Sequence, residues 1–368
     1  MPDLIELNGL TYGELERYVL SLGESKFRAG QIAQWIARGA EIQEMTNLSA
    51  ALRARLSAEA TANPVRIMEV YPSKTDETEK FLYALNDGNL IEGVVMRYHH
   101  GDTLCVSTQV GCRMGCRFCA STLEGRVRDL TPGEMLGQVL CANRHIRQSD
   151  PDRRIHNIVL MGSGEPLDNY ANVMKFLRLV NDERGLNISL RNISLSTCGL
   201  IDRMYDLANE GLPVTLSVSL HAPNDDIRRQ TMPVANANPM DKLLEACRNY
   251  IEKTGRRVIF EYALIRGFTD SFACADELAR RLKGMQCHVN LIPLNEVKER
   301  GLTGTSRKDA EAFMARLLQR GVSATIRREM GADIEGACGQ LRRRALKDME
   351  QAGGNAAPTR IDRRNDNA

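Results

Sequence analysis

Aromatic residues are scarce, 5% of 368, and Trp35 is the only tryptophan. Long apolar runs are missing too. None approaches the roughly 18 residues that a membrane-spanning helix needs, so no membrane partner is expected. The first residues, MPDLIELNGLTYGE, hold no basic stretch followed by an apolar one. A secretion signal is therefore not expected, and the cytoplasm is the expected compartment. Neither sign of charge dominates: 49 basic residues face 47 acidic ones for a net +2. Such a balance neither demands nor excludes a nucleic-acid partner, because local patches outweigh the sum. Basic residues gather late, at Arg327, Arg328, Arg342, Arg343 and Arg344, and composition alone reads them as a solvated face. The 43% of hydrophobic residues suffices for one large domain with an appendage.

Cysteine, by contrast, is plentiful. Ten thiols exceed what packing needs, and a reducing compartment argues against a static disulfide framework. Cys141, Cys198, Cys247, Cys274 and Cys287 stand singly and read as small buried hydrophobes. Residues 111–120 differ. Gly-Cys-Arg-Met-Gly-Cys-Arg-Phe-Cys-Ala sets Cys112, Cys116 and Cys119 in a C-x3-C-x2-C spacing, with Phe118 as an apolar neighbour. Three thiolates on one short loop can grip three irons of a cubane cluster and leave the fourth open to chelate a substrate. The competing reading is a structural zinc site, which normally wants four closed ligands.

The surroundings of that loop weigh on the choice. Up to about residue 65 the chain reads as helical. Thr11-Tyr-Gly-Glu14 is a capping box, Phe27, Ile32, Trp35 and Ile36 recur at near-helical spacing, and Asn63-Pro64 breaks the pattern. Residues 66–98 alternate in β fashion about Asn86-Asp-Gly88, which predicts a hairpin. Further on, strands are expected at 103–109, 155–161, 190–196, 214–220, 256–264 and 286–292. Helical patterns lie between them near 132–147, 169–182, 200–210, 239–253 and 270–283, and a helix at 306–320 and a short strand at 322–327 follow. Such alternation predicts parallel strands with right-handed helical crossovers. Six units are too few for a closed eight-stranded barrel. The expected α/β fold is a partial (β/α)6 TIM-like barrel, with a doubly wound open sheet as the other solution. Both place ligands at the carboxyl ends of the strands. The expected division is a helical accessory domain at 1–65, a hairpin linker at 66–98, a core at 99–341 and a basic, disordered tail at 342–368.

The cysteine loop follows the first of these strands, and Gly162-Ser-Gly164-Glu165-Pro166 ends the second. Glycines there let backbone approach a ligand closely. Together the two motifs resemble the radical S-adenosylmethionine superfamily. That likeness implies one [4Fe-4S] cluster on Cys112, Cys116 and Cys119, and S-adenosylmethionine whose reductive cleavage gives a 5′-deoxyadenosyl radical.

The resemblance goes further. TLCVSTQVGCRMGCRFCAS from Thr103, MGSGEPLDN from Met161, SLHAPND from Ser219, NLIPLN from Asn290 and ADIEGACGQL from Ala332 are similar to the RlmN/Cfr family of RNA adenine methyltransferases, as is FRAGQIAQWI near the amino terminus. The likeness spans about residue 5 to residue 342. It implies methylation of C2 of an adenosine in 23S ribosomal RNA, and of the adenosine beside the tRNA anticodon. Two molecules of S-adenosylmethionine would be used per turnover. C2 of adenine is an electrophilic amidine carbon and cannot attack an ordinary sulfonium methyl. The family first places the methyl on a cysteine, which matches Cys338 in Gly336-Ala-Cys-Gly-Gln340. A second thiol releases the product through a transient disulfide, and Cys105 matches it. Glu92, in Leu90-Ile-Glu-Gly-Val94, occupies the place of the base that removes the C2 proton. Cofactor contacts carry over to Gly164, Glu165, Ser196, Ser219, Leu220, His221 and Asn295, all at carboxyl ends of expected strands.

By the same likeness the partners are 23S ribosomal RNA, transfer RNA and an electron donor such as flavodoxin or ferredoxin, and the chain is expected to act as a monomer. The amino-terminal segment and the basic residues at 327–344 are candidate RNA contacts. After Asn295 the chain reads Glu-Val-Lys-Glu-Arg-Gly where many members carry a Pro- or Tyr-rich stretch. Two alternatives stand. One is a Cfr-type enzyme methylating C8 of the same adenine, which confers antibiotic resistance and shares the cysteines and glutamate. The other is a zinc-binding RNA chaperone without catalysis, which leaves Gly162–Pro166 and Cys338 unexplained.

Overall fold

The computed structural model describes residues 4–294, 301–328 and 330–334. The chain opens with a short strand β1 (Ile5–Glu6), helices α1 (Tyr12–Ser21), α2 (Phe27–Ala37) and α3 (Ala50–Glu59), and a strand β2 (Ala60–Thr61) that pairs with β1. The expected capping box forms at α1: Glu14 N–H donates to Thr11 Oγ1 while the Glu14 carboxylate accepts from Thr11 N–H at 2.7 Å.

Four antiparallel strands follow as a meander: β3 (Val65–Pro72), β4 (Glu79–Leu85), β5 (Leu90–Tyr98) and β6 (Gly101–Cys105). The expected hairpin about Asn86-Asp-Gly88 is the β4–β5 turn. Rather than standing apart as a linker, it is one edge of the main sheet, because β5 turns back at once onto β6. The expected strand at 103–109 also ends early. After Val106, whose N–H still donates to Val159 O at 2.9 Å, the chain leaves the sheet, and β7 (Gln109–Gly111) pairs with β8 (Arg126–Asp129) in a separate two-stranded ribbon.

Helix α4 (Pro132–Ser149) opens the β/α series. It is followed by β9 (Ile155–Leu160), α5 (Tyr170–Asn181), β10 (Ile193–Thr197), α6 (Ile201–Asn209) and β11 (Thr215–Ser219). Then come α7 (Asp225–Thr231), α8 (Met240–Thr254), β12 (Val258–Leu264), α9 (Phe272–Leu282), β13 (Cys287–Pro293), α10 (Arg307–Gln319) and β14 (Ala324–Ile326). The main sheet has ten strands in the order β14-β13-β12-β11-β10-β9-β6-β5-β4-β3, parallel from β6 to β14. Strand order never reverses, so there is no switch point of a doubly wound sheet, and the partial-barrel solution is the one adopted.

Side-chain alternation gives the sheet two faces. Leu104, Ile158, Leu160, Leu195, Leu216, Val218, Phe260, Val289 and Leu291 are buried against the helices. The intervening positions carry polar groups: Thr103, Asn157, Ser194, Ser217, Ser219, Glu261 and Asn290. The gap between the two sheet edges is bridged by residues 330–334. Asp333 accepts from Ser73 Oγ at 2.6 Å, Lys74 N–H at 2.7 Å and Thr75 Oγ1 at 3.1 Å, and Gly331 N–H donates to Asp76 at 2.9 Å. These donors hold the Asp333 carboxyl down at about 2.

Candidate active site

Every described residue expected at the site lies at or beside the carboxyl ends of the parallel strands, except Glu92, which lies on the antiparallel β5. The β7–β8 ribbon frames the cysteine loop, with Cys112 N–H donating to Gly125 O at 3.0 Å. Within the loop Cys119 N–H donates to Cys116 O at 3.1 Å, and Thr122 Oγ donates to the Cys116 and Cys119 carbonyls. Cys112 and Cys116 are buried and Cys119 half-buried, and none is in a disulfide. Burial pushes the Cys112 thiol up to about 12. It raises Cys116 as well, with the nearby Cys119 and Cys112 adding to the effect.

Among the described residues no three His, Cys, Asp or Glu side chains are already drawn together as a metal site. The fit to an iron–sulfur cluster is one of donor chemistry. Three thiols sit close together, Cys119 near enough to raise both Cys112 and Cys116, behind apolar walls of Met114, Phe118 and Met232. A metal core of positive charge is what would ionise them.

The loop after β9 is locked to the cysteine loop by carboxylates. Asp168 accepts from Arg113 Nη2 at 2.6 Å and Gln109 Nε2 at 3.0 Å, and Arg126 lies 3.4 Å away. Burial works to raise the Asp168 carboxyl, but these donors hold it below the usual range. Glu165 is fully enclosed. Its Oε1 accepts from Leu167 N–H at 3.0 Å and its Oε2 from Cys198 N–H at 2.7 Å. Burial outweighs these bonds and pushes the carboxyl up. The carboxylate is thus occupied in tying β9 to β10, so the Gly164–Glu165 backbone is what can meet a ligand. Gly164 (φ +112°) also has a steric role: a Cβ there would stand 2.7 Å from Gln109 N. The glycines therefore admit the neighbouring segment 107–109 as much as any ligand.

Ser196 and Ser219 sit in the last turns of β10 and β11, each half-buried. Leu220 is fully buried in the main core, so only its backbone faces the site. His221 adopts φ +53° and accepts from Ala263 N–H through Nδ1 at 2.9 Å, which leaves the proton on Nε2. Its ring meets Phe118 edge-on at 4.6 Å and so connects β11 to the cysteine loop. Burial first, then Arg228, lower its pKa to about 3. Asn295 and Cys338 lie outside the described residues.

On the neighbouring strands, Glu92 is buried and paired with the fully buried Lys80, Nζ to Oε2 3.0 Å. Cys105 is buried among Val94, Met96, Val159, Met161 and Met330. Glu92 and Val94, the residue opposite Cys105, share one face of β5.

Residues 106–282 match the model of the radical SAM superfamily, and residues 5–62 match the ribosomal RNA large subunit methyltransferase N-terminal domain. A protein of Lachnospira eligens described as a probable dual-specificity RNA methyltransferase RlmN is 50% identical over 356 residues, covering 95% of this chain and 99% of that one. One of the same description from Alkaliphilus oremlandii is 52% identical over 345 residues, 94% of this chain and 99% of its own. The crystal structure of a radical SAM methyltransferase from Sphaerobacter thermophilus, 43% identical, covers 91% of this chain and 98% of that one with a TM-score of 0.88. The chain belongs to the RlmN family.

Several parts of this candidate site were not apparent in the sequence. Lys80 reads as a solvent-facing residue in an alternating strand, yet it is completely enclosed. Cys198, expected to be an ordinary core thiol, packs against Cys116 and Met232 at the cysteine loop. Helix α7 was overlooked, although Asn224 followed by Asp225 and Asp226 is an N-cap with an acidic first turn. It carries Arg228, whose side chain reaches the floor of the site. Among the described basic residues at 327–344, Arg327 and Arg328 are exposed, and Arg342 to Arg344 lie outside the described residues.

Proposed function

We propose that the chain methylates C2 of adenosine 2503 in 23S ribosomal RNA and of adenosine 37 in transfer RNAs, through a methyl group carried on Cys338. The observation that carries the reading is the shared patch of Glu92 and Cys105, to which Met330 and the Asp333 clasp bring the segment leading to Cys338. Cys338 is four positions beyond Ile334, a reach of at most about 14 Å.

Cys112, Cys116 and Cys119 would hold a [4Fe-4S] cluster, with S-adenosylmethionine held by the Gly164–Glu165 backbone, Ser196, Ser219, Leu220, His221 and Asn295. When bound, these groups supply the methyl group and a carbon radical able to remove a hydrogen atom. Cys338 takes the methyl on its sulfur and presents it to the base. Glu92 accepts the C2 proton, its carboxylate oriented by Lys80. The Cys105 thiolate then attacks the Cys338 sulfur: the S–S bond forms as the sulfur–carbon bond breaks, and the freed carbon takes up a proton to become the methyl group of the released base. The one electron that starts cofactor cleavage would come from an external donor such as flavodoxin or ferredoxin, and the disulfide formed once per turnover must be returned to two thiols by two electrons and two protons from a thiol reductant before the next. The amino-terminal domain and Arg327 and Arg328 are the RNA contacts in this reading, and the chain acts as a monomer in the cytoplasm.

Reconstituted protein, incubated with S-adenosylmethionine, a reductant and unmodified 23S RNA or tRNA, should yield 2-methyladenosine after digestion and mass spectrometry. The 8-methyl isomer would instead establish the Cfr-type reaction. Methyl transfer retained by Cys338→Ala would refute the relay.

A further inference from the structure

Among the described residues Arg228 is the largest fully buried side chain, with 0% exposure. Among the described residues no carboxylate pairs with it. Its fork is spent on carbonyls: Nη2 donates to Cys198 O at 2.7 Å and Ser219 O at 3.4 Å, Nε to Leu220 O at 3.3 Å, and Nη1 to Asn238 O at 3.2 Å. Guanidinium stays protonated in proteins, so a full positive charge is enclosed with carbonyls as its hydrogen-bond partners and Asp225 acting on it only through space. An enclosed cation is costly unless something compensates it.

The compensation lies next to it. Cys198, whose carbonyl takes the shortest of these bonds, packs against Cys116. The segment leaving α7 forms the back wall of the cysteine loop: Arg117 N–H donates to Thr231 O at 2.8 Å, Met232 packs on Cys116, and Pro233 lies under Gly115. Gly199 makes room for the cation, since a Cβ there would stand 3.3 Å from Arg228 Nη2. A helix of seven residues thus carries both the wall of the thiol loop and a buried charge behind it.

We infer that Arg228 is the internal counter-charge of the iron–sulfur cluster and the strut that sets the two strand ends holding S-adenosylmethionine. Resting on the cluster assignment above, this adds a positioning residue to it. A cluster ligated by three thiolates gains one negative charge on reduction, and a fixed cation favours the more negative state. At the same time the fork joins the ends of β10 and β11 through the Cys198, Ser219 and Leu220 carbonyls. The spacing of the Ser196 and Ser219 sites is then set by one side chain.

The test uses the full-length protein with its cluster reconstituted anaerobically, comparing the parent with Arg228→Met and Arg228→Lys. Iron and sulfide content is measured first, and a parent without cluster would overturn the assignment itself. Redox titration followed by electron paramagnetic resonance then reads the midpoint. Arg228→Met should show a reduced-to-oxidised ratio about tenfold lower at fixed potential, a midpoint about 59 mV more negative. Arg228→Lys, which keeps the charge and loses the fork, should stay near the parental midpoint. Both should bind S-adenosylmethionine at least tenfold more weakly. An unchanged midpoint in Arg228→Met overturns the counter-charge, as does an equal shift in both variants. Unchanged cofactor affinity overturns the strut. If Arg228→Met does not fold, Arg228→Lys decides: a parental midpoint supports the charge role and a tenfold shift overturns it.

Discussion

Replacing Lys80 with methionine removes the cation from a pair that is 0% and 6% exposed while leaving the volume nearly filled. Breaking a buried pair from one side costs roughly 3–5 kcal/mol, because the remaining charge has lost its counter-ion. Glu92 can limit that cost by taking up a proton. An ordinary glutamate titrates near 4.3, so neutralising one at pH 7 costs about 1.36 kcal/mol for each of roughly 2.7 pH units, or about 3.7 kcal/mol. At pH 5.5 the same step costs about 1.6 kcal/mol. By proton linkage, a buried carboxyl that has lost its counter-cation holds its proton in the folded state to higher pH than in the unfolded state. The single variant therefore weakens as pH rises through that window. Lys80→Met with Glu92→Gln removes the titrating group. Urea unfolding followed by far-ultraviolet circular dichroism should find the single variant about 3–4 kcal/mol less stable than the double at pH 7. At pH 5.5 the difference should fall below about 2 kcal/mol. A difference that stays constant between the two pH values would refute the reasoning.

His221 is held neutral by burial with a pKa of about 3, whereas an unfolded histidine titrates near 6.5. Stability should fall as pH drops below 6.5, by about 2 kcal/mol at pH 5. His221→Asn tolerates the positive φ and should flatten that part of the profile; an unchanged slope in denaturant titrations would contradict it. Gly164→Ala puts a methyl 2.7 Å from Gln109 N. It should weaken S-adenosylmethionine binding at least tenfold by anaerobic calorimetry, and parental affinity would show that the loop has slack.

The core strands were legible because their evidence is local: the alternation at 155–161 became β9 and that at 256–264 became β12, with ends shifted by one or two residues. The cysteine loop was legible for the same reason, all three thiols lying within eight residues. What escaped depends on distant chain meeting distant chain. Nothing near Lys80 says that residue 92 will face it, and a charged residue in an alternating strand reads as solvent-facing. Arg228 followed by Arg229 looks like a charged helical surface, yet one is enclosed and the other reaches Asp225 and Asp226. The division between barrel and doubly wound sheet also stayed open, because both use identical local units and differ only in strand order. Glu165 was identified by its motif, but the burial of its carboxylate was visible only once β10 stood beside it.

The strictly sequential order of the parallel strands has a consequence for how the protein is made. Each new strand from β10 to β14 docks on the one synthesised just before it, and β9 docks on β6 across the β7–β8 ribbon. The sheet can therefore grow as the chain leaves the ribosome, amino-terminal parts first. The Asp333 clasp obeys no such order, for it joins residues 260 apart in sequence. Contacts of that span carry the largest loop-closure cost and form late. Only once residues 330–334 have been made can Met330 pack beside Cys105 and Asp333 close on Ser73 to Thr75. The nascent protein thus holds its sheet well before the clasp that ties its two edges together.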